Sequence, residues 1–368
     1  MHLNYINVSG LFGKSDSIHL DLNKDLNILT GRNGSGKTTI MKLAWFIISG
    51  NILLALKEVN FKSCTISTSE YLCTVTRTGH AHCRVELEID GAKYVYEDDE
   101  GDPTEEPWLE AAEDKVNPIL MAQGGSIFFP TFRRIEGGFS MNLGRGGRGR
   151  NGMRSENELD DSLSSFSRKL SNSGHFFVSA ISTQDIVSLL LRRYAAFSEE
   201  INSYQEQVSR GVIEKIKHYE RGQSSKQDAD SLLSETRSDI EKIETFRRDT
   251  MRPLDAVRKL VETLFQHSGI SFDRRLSFGD AADAINSDSL SSGEKQMLSF
   301  ICYNAFHKDS VIFIDEPELS LHVDWQRQLY QILEDQESNN QFVFATHSPF
   351  IYGKYPDKEV SVSLDRGE

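Results

Sequence analysis

The chain of 368 residues lacks the features that define several protein classes. It has no apolar run as long as a membrane helix, and its first residues, MHLNYINVSG, do not join a basic region to an apolar one as a signal peptide does. Its four cysteines are too few for a disulfide framework and lack the paired CxxC spacing of a zinc site. We therefore expect a cytoplasmic protein that does not contact membranes.

Basic charge is also scarce. The chain has 41 Lys and Arg residues against 55 Asp and Glu residues, which gives a formal net charge of −14. This balance excludes a broadly basic surface of the kind that coats DNA. Any contact with nucleic acid must come from a local patch or from a partner.

The first third of the chain is rich in strand patterns. Two alternating segments and a third strand, DLNILT, lead to a glycine-rich loop, and the helical pattern TTIMKLAWFIIS follows it. Short β-like runs over 61–97 predict an antiparallel sheet beside the first strands. SIFFPTF at 126–132 predicts an apolar strand.

The middle of the chain changes character. Residues 137–174 are rich in Gly, Ser and Arg, and they form either a solvated loop or a phosphate-binding patch made by Arg145, Arg148, Arg150 and Arg154. From 185 to about Tyr219 the apolar residues have helical spacing, which predicts a helix of roughly 50 Å. A second helical stretch is predicted to break at Pro253. The two helices form either a short antiparallel arm or an ordinary helical subdomain.

The strongest local motif is GRNGSGKTT at 31–39, which fits GxxxxGK[ST] between a strand and a helix. Its glycines let backbone amides face phosphate groups, and the helix N-terminus adds positive potential. Lys37 is predicted to neutralise the β- and γ-phosphates, and Thr38 to bind Mg²⁺. The predicted nucleotide-binding residues here are Gly31, Asn33, Gly34, Ser35, Gly36, Lys37, Thr38 and Thr39.

A second motif, SVIFIDEPELSLH at 310–322, places two carboxylates after an apolar run. Such a run is typical of a buried parallel strand. Asp315 is predicted to hold Mg²⁺ through water, and Glu316 to polarise the attacking water. Two adjacent acids at a strand end could also form a plain surface turn, but the phosphate loop elsewhere in the chain favours the catalytic interpretation.

Two further motifs carry a family resemblance. LSSGEKQM at 290–297 resembles the ABC signature LSGGQ, and FVFATHSPF at 342–350 ends a strand in a histidine that resembles the switch histidine of the same family. The resemblance implies that His347 senses the γ-phosphate. It also implies that Ser291 and Gly293 contact ATP bound to another subunit. One loop and one signature per chain then predict a two-fold dimer around two ATP molecules, with larger assemblies left open.

One expected element departs from the ABC pattern. The family has a glutamine after the strand that corresponds to SIFFP, but here Thr131, Phe132, Arg133 and Arg134 follow. Gln123, which precedes the strand, is a candidate for the missing Mg²⁺ contact. Arg133 and Arg134 either touch phosphate or a partner, or form a surface pair.

The resemblance also suggests a branch of the family. EPELSLHVDWQ and ATHSPFI resemble RecF-like and OLD-like ATPases, and only about twenty residues follow His347. We therefore expect a stand-alone ATPase that resembles those of bacterial anti-phage systems of the Septu-like, PARIS-like and retron-associated kinds. Its effector would be a separate HNH nuclease, Toprim nuclease or toxin. The alternative is a RecF- or Rad50-like ATPase of DNA repair, and a transporter ATPase fits poorly.

Together these observations predict an α/β fold: an ABC-type phosphate-loop core, an antiparallel β lobe and a helical insertion that forms a short coiled-coil-like arm. The predicted segments are a nucleotide-binding lobe at 1–136, a flexible segment at 137–184, a helical insertion at 185–285 and a second nucleotide-binding lobe at 286–368. The predicted enzyme is an Mg²⁺-dependent ATPase.

Overall fold

The computed structural model describes residues 1–98, 111–131, 134–135, 165–181, 183–221, 226–264 and 291–362. The chain divides into two compact units. The first comprises Met1–Ser182 and Ser291–Glu368, and the second comprises Thr183–Leu290. The predicted boundaries at 136/137 and 285/286 lie outside the described residues, as do the four clustered arginines of the 137–174 segment, so those proposals stay predictions.

The first unit contains an antiparallel sheet of six strands in the order β2-β1-β4-β5-β6-β7. Side chains alternate between buried and half-exposed along β4 and β5, because one face packs on the core. The predicted antiparallel lobe beside the first strands is confirmed. Its strands are β1 (Leu3–Ser9), β2 (Ser17–Asp21), β4 (Ser63–Thr68), β5 (Tyr71–Arg77), β6 (Cys83–Ile89) and β7 (Ala92–Tyr96).

The second sheet of this unit is parallel throughout, in the order β10-β8-β12-β13-β3-β14. Its central strands are buried at every residue, which explains their continuous apolar sequences. The strands are β3 (Leu26–Thr30), β8 (Ser126–Phe129), β10 (His175–Phe177), β12 (Val311–Asp315), β13 (Gln341–Ala345) and β14 (Glu359–Ser361). Two short strands, β9 (Arg134–Ile135) and β11 (Ala180–Ile181), pair separately.

Helix α1 joins the two sheets into one core. Its buried residues belong to a single apolar cluster that also contains residues of both sheets, so the helix is apolar on nearly all sides. Trp45 packs against Phe128 and Phe177 with ring centroids 5.8 and 5.3 Å away. The helices of this unit include α1 (Lys37–Ile48), α2 (Ile52–Glu58), α3 (Ala112–Met121), α6 (Ser292–Phe306), α7 (Val323–Glu334) and α8 (Pro349–Tyr352).

A buried amide ties the start of the chain to the parallel sheet. Gln341 is fully buried, and its Oε1 accepts the Leu3 N–H at 2.6 Å while its Nε2 donates to the Leu3 carbonyl at 2.8 Å. The same Nε2 donates to the Asn23 carbonyl at 2.6 Å. This side chain therefore forms hydrogen bonds with backbone groups at the start of the chain as a neighbouring strand would.

The second unit contains two helices of 39 residues each, α4 (Thr183–Arg221) and α5 (Lys226–Leu264). Tyr204 stacks on Phe246 with centroids 4.1 Å apart, and Lys215 pairs with Asp239 at 2.9 Å, so the helices run antiparallel. Each is about 58 Å long at 1.5 Å per residue, which confirms the predicted arm. None of the helices in the described part of the chain combines the length and apolarity of a membrane span.

The predicted break at Pro253 is wrong. The proline lies inside α5, and the helix continues to Leu264. A proline removes one intrahelical hydrogen bond. The burial of Leu254 and Val257 on the following turn compensates for this loss, so the helix continues.

Replacing Gln341 with Leu should lower the free energy of unfolding by about 2–4 kcal/mol, because the Leu3 N–H and carbonyl would lose their hydrogen bonds to this buried side chain. Chemical denaturation measures this change. The exposed Gln331 on α7 provides a matched control, and Gln331→Leu should stay within about 0.5 kcal/mol of the wild type. Equal effects of the two substitutions would contradict the role given to Gln341.

Candidate functional site

Four parallel strands end at the same edge of the sheet, and each carries a polar group there. The phosphate loop follows β3, Asp315 ends β12, His347 comes two residues after β13, and Thr131 comes two residues after β8. Because carboxyl ends of parallel strands share one edge, residues from across the sequence meet at this place. The structure thus brings together the loop, the acidic motif and the histidine that the sequence predicts.

The loop from Gly31 to Gly36 has the conformation that phosphate binding needs. Gly34 and Gly36 have φ angles of 81° and 100°, which side chains with a Cβ rarely adopt. The Ser35 hydroxyl is buried without a hydrogen-bond partner in the described structure. The curled backbone and the N-terminus of α1, which begins at Lys37, make a cradle that fits an anion.

The Lys37 ammonium group is held inside this cradle. It donates to the Gly31 carbonyl at 2.8 Å and to the Arg32 carbonyl at 3.3 Å, and it lies 2.9 Å from Nε2 of His347. Since an ammonium group only donates, Nε2 accepts and the ring proton lies on Nδ1. Burial lowers the pKa of Lys37, while nearby Asp315 acts in the opposite direction.

Asp315 is a fully buried carboxylate between two threonines. The Thr38 hydroxyl donates to its Oδ1 at 2.9 Å, and the Thr131 hydroxyl donates to its Oδ2 in a short contact. All three side chains offer oxygen atoms, which are the ligands that Mg²⁺ prefers. The donor set therefore fits the magnesium ion that the sequence predicts at Thr38 and Asp315.

Glu316 has a constrained backbone. Its φ is 48°, in the left-handed region that glutamate rarely adopts, and its N–H donates to the Ala345 carbonyl at 2.8 Å. Burial raises the pKa of Glu316 first of all, and the charges of Asp315 and Glu318 raise it further. A carboxylate with a raised pKa is a stronger base than one in water, which suits it to accept a proton.

A cavity opens between these groups, and two of the residues that line it, Phe12 and Ala345, are not among the residues predicted from the sequence. Phe12 lines the cavity with a half-exposed ring, and its φ of 57° marks a constrained turn. From the sequence, Thr131 is named only as part of a stretch, although its position two residues beyond an apolar strand could have indicated its role. The cavity is lined by Phe12, Asn33, Gly34, Gly36, Lys37, Thr38, Thr39, Asp315, Glu316, Ala345 and His347.

The signature residues do not line this cavity. Ser291 is the N-cap of α6, where its hydroxyl accepts the Glu294 N–H at 3.3 Å and the Glu294 carboxylate accepts the Ser291 N–H at 2.7 Å. A Cβ on Gly293 would lie 2.3 Å from the Ser320 carbonyl oxygen. Close packing within the chain therefore already requires glycine at 293, and its predicted contact with a second subunit's nucleotide stays a prediction.

Gln123 does not replace the missing glutamine of the ABC pattern. It precedes β8, at the opposite end of the strand from Thr131, and the four residues of β8 separate the two ends by about 13 Å. That candidate is therefore wrong, and Thr131 is the residue that contacts Asp315 from this strand. The side chains of Arg133 and Arg134 lie outside the described residues.

Comparison with known proteins places the whole site inside one family. A family model described as "AAA domain, putative AbiEii toxin, Type IV TA system" matches residues 26–352. The chain belongs to this family. The match runs from β3 to α8 and includes the phosphate loop, the signature, the acidic motif and the histidine. With the sheet topology, it confirms the predicted ABC-type ATPase fold.

Among curated proteins, the AAA domain resembles the "Retron Vc95 probable ATPase" of Vibrio cholerae serotype O1 biovar El Tor, with 28% identity over 86 residues. The match covers 20% of this chain and only 17% of the relative's length. Similar solved structures include a Smc head domain from Pyrococcus furiosus, with 13% identity, a TM-score of 0.37 and coverage of 96% of this chain and 91% of that one. A Smc head from Thermotoga maritima has the same identity and TM-score, with coverage of 96% and 92%.

Replacing Lys37 with Ala should abolish detectable ATP binding, because the loop loses the ammonium group that neutralises the β- and γ-phosphates. Titration of a fluorescent ATP analogue measures the affinity. Lys354→Ala removes an exposed lysine that contacts the Arg327 carbonyl and should bind as the wild type does. Normal ATP affinity in Lys37→Ala would show that the loop does not bind phosphate.

Proposed function

We propose that this chain is an Mg²⁺-dependent ATPase that works as a dimer and controls a separate effector. The observation that carries the proposal is the meeting of four strand ends: Lys37 lies against His347, and Asp315 lies between Thr38 and Thr131. The loop that can hold phosphate lies beside the oxygen ligands of Thr38 and Asp315. Glu316, a carboxylate whose pKa is raised, lies next to them. This combination suits hydrolysis of a phosphoanhydride.

Each side chain has a distinct task in this mechanism. The loop amides and Lys37 bind the β- and γ-phosphates and neutralise their charge. Glu316 orients a water molecule for in-line attack and accepts its proton. His347, which lies beside Lys37, contacts the γ-phosphate and holds it during the reaction.

The metal site would consist of Thr38 and Asp315, with Thr131 completing it. Mg²⁺ bound there would neutralise the charge that develops on the phosphate oxygens. The Thr131 hydroxyl orients the buried Asp315 carboxylate from the side opposite Thr38. Thr131 thereby takes the place of the glutamine that this chain lacks.

A second copy of the chain would complete each nucleotide site. Ser291 is exposed and lies outside the cavity of its own chain, so its role in the ABC mechanism requires a nucleotide on another subunit. Because each chain supplies one loop and one signature, a two-fold pair encloses two ATP molecules. The N-terminus of α6 would then face the γ-phosphate of the partner's ATP.

The effector would be a separate HNH nuclease, Toprim nuclease or toxin in anti-phage defence. The description of the family refers to a toxin and a toxin–antitoxin system, and the curated relative is a retron ATPase. ATP binding would hold the effector inactive or gate its release. Purification with the products of adjacent genes tests this: we expect a stable complex, whereas a chain that always purifies alone and is activated by DNA ends would contradict it.

A DNA-repair ATPase of the RecF or Rad50 kind is the second candidate. The four arginines of the 137–174 segment favour it, and the net charge of −14 opposes it. DNA binding measured over a range of salt concentrations separates the two, with Arg145, Arg148 and Arg150 neutralised in a parallel variant. Strong, salt-sensitive binding that this variant loses would favour DNA repair.

Replacing Glu316 with Gln should slow hydrolysis by about 10²–10⁴-fold, the usual contribution of a general base, and leave ATP binding intact. Light scattering with ATP and Mg²⁺ should show that the variant accumulates as a closed dimer. Glu88→Gln on the exposed face of β6 is the matched control and should keep wild-type turnover. Undiminished hydrolysis by the Glu316 variant would remove this residue from the role.

Replacing Thr131 with Val should raise the Mg²⁺ concentration needed for half-maximal hydrolysis, because the Asp315 carboxylate loses one of its hydrogen bonds. Thr131→Ser keeps the hydroxyl and should retain nearly wild-type dependence on Mg²⁺. Hydrolysis measured as a function of Mg²⁺ concentration at saturating ATP gives both values. If Thr131→Val and Thr131→Ser require the same Mg²⁺ concentration, the hydroxyl of Thr131 has no part in the metal site.

A further inference from the structure

The loop Pro317–Leu321 connects the acidic strand β12 to α7, and it is held in a constrained conformation. Glu316, just before the loop, and Ser320, inside it, have φ angles of 48° and 66°. Both lie in the left-handed region, which costs non-glycine residues conformational energy. Such a conformation persists only where neighbouring elements fix it, and two neighbours do so here.

The first neighbour is α6, the helix that begins at the signature. The fully buried Gln296 donates from Nε2 to the Pro317 carbonyl at 3.0 Å. One turn earlier, the backbone of Gly293 approaches the Ser320 carbonyl so closely that a Cβ would lie 2.3 Å from the oxygen. The loop therefore lies directly on α6 at two points, and it cannot shift without that helix.

The second neighbour is the segment that carries His347. The Glu318 carboxylate accepts the backbone N–H of His347 through Oε1 at 2.9 Å. Gln326 on α7 donates to the Leu321 carbonyl at 2.8 Å, and its Oε1 accepts the Ser348 hydroxyl at 2.6 Å. The loop thus holds His347 directly through Glu318, and Gln326 of α7 holds the residue after it.

The Glu318 carboxylate points into the protein rather than towards solvent. Its second oxygen, Oε2, is buried without a hydrogen-bond partner, so the carboxylate is held against the site at an energetic cost. A surface loop with no positioning task would turn such an oxygen towards water. The contact with His347 accounts for its inward direction.

We infer that Glu318 is a positioning residue for His347, and that the loop Pro317–Leu321 mechanically links the signature helix to this histidine within one chain. The inference rests on the proposed function, in which the signature contacts ATP on the partner and His347 contacts ATP on its own chain. Engagement of the signature by the second nucleotide would then be transmitted to the first through Gln296, Pro317 and Glu318.

Comparison of Glu318→Ala with Glu318→Gln tests the positioning role. Both remove the charge, but glutamine keeps an oxygen that can accept the His347 N–H. Misplacement of His347 in the alanine variant should lower kcat by about 10- to 100-fold, with an unchanged Kd for a fluorescent ATP analogue. Glu318→Gln should restore most of the turnover. Asp335→Ala, which removes an exposed acid at the end of α7, should have no effect on either quantity.

Hydrogen exchange of the His347 amide provides a readout that does not depend on hydrolysis. Exchange should be faster in Glu318→Ala and close to wild type in Glu318→Gln. A wild-type protein without ATPase activity would overturn the proposed function. The exchange rates of the His347 amide in the two variants would still show whether Glu318 positions this residue. Equal turnover and equal exchange in the alanine and glutamine variants would overturn the inference. Should Glu318→Ala fail to fold, Gln326→Met removes the link to Ser348 at similar volume and should also lower kcat without changing the Kd.

A double-mutant cycle tests the link to the signature helix. Gln296→Met removes the donor to Pro317 and should lower kcat in the wild-type background. In the Glu318→Ala background the same substitution should have little further effect, because the link is already broken. Additive losses would show that Gln296 and Glu318 act separately and would overturn the mechanical connection.

Discussion

The site depends on a single buried carboxylate. Asp315 has no exposure to solvent, and an unpaired charge in that position would cost several kcal/mol. The fold offsets this cost with two hydroxyl groups, from Thr38 in the first turn of α1 and from Thr131 beyond β8, and with the nearby ammonium group of Lys37. These compensating groups are also the groups that suit a metal ion and a phosphate. The groups that stabilise the buried Asp315 carboxylate are therefore the same groups that would bind the nucleotide and its metal ion.

Sequence reasoning found the parts of the site that lie next to each other along the chain. The loop before Lys37 and the acidic pair at Asp315 have local patterns, a glycine spacing and an apolar run, and parallel strands bring the carboxyl ends of such runs together. Residues that act across the fold were missed. The contact of Thr131 with Asp315 depends on the order of strands in the sheet, and that of Gln341 with Leu3 on the packing of one sheet against another. The Gln341 contact leaves no local signal, and the only local signal for Thr131 is its position just beyond an apolar strand.

The errors have a common physical origin. The predicted interruption at Pro253 follows from local backbone rules, which take no account of the packing that overrides them. Gln123 is a candidate for the missing Mg²⁺ contact because it lies near the strand in the sequence. However, it precedes β8, so it lies at the edge of the sheet opposite to Thr131 and the site. Gly293 had a functional explanation from the family resemblance, and the structure adds a packing one through Ser320. The arm was predicted well, since long amphipathic helices are specified by local periodicity.

The central claim is that two chains share each ATP site, and a mixing experiment tests it most directly. Lys37→Ala disables the loop of one chain, and Ser291→Arg blocks the signature of another, so neither variant alone can form an intact site. In an equimolar mixture, half of the dimers pair the two variants and contain one intact site of two, which should restore about a quarter of wild-type ATP hydrolysis. A mixture as inactive as its components, or full activity of Ser291→Arg alone, would contradict the shared site.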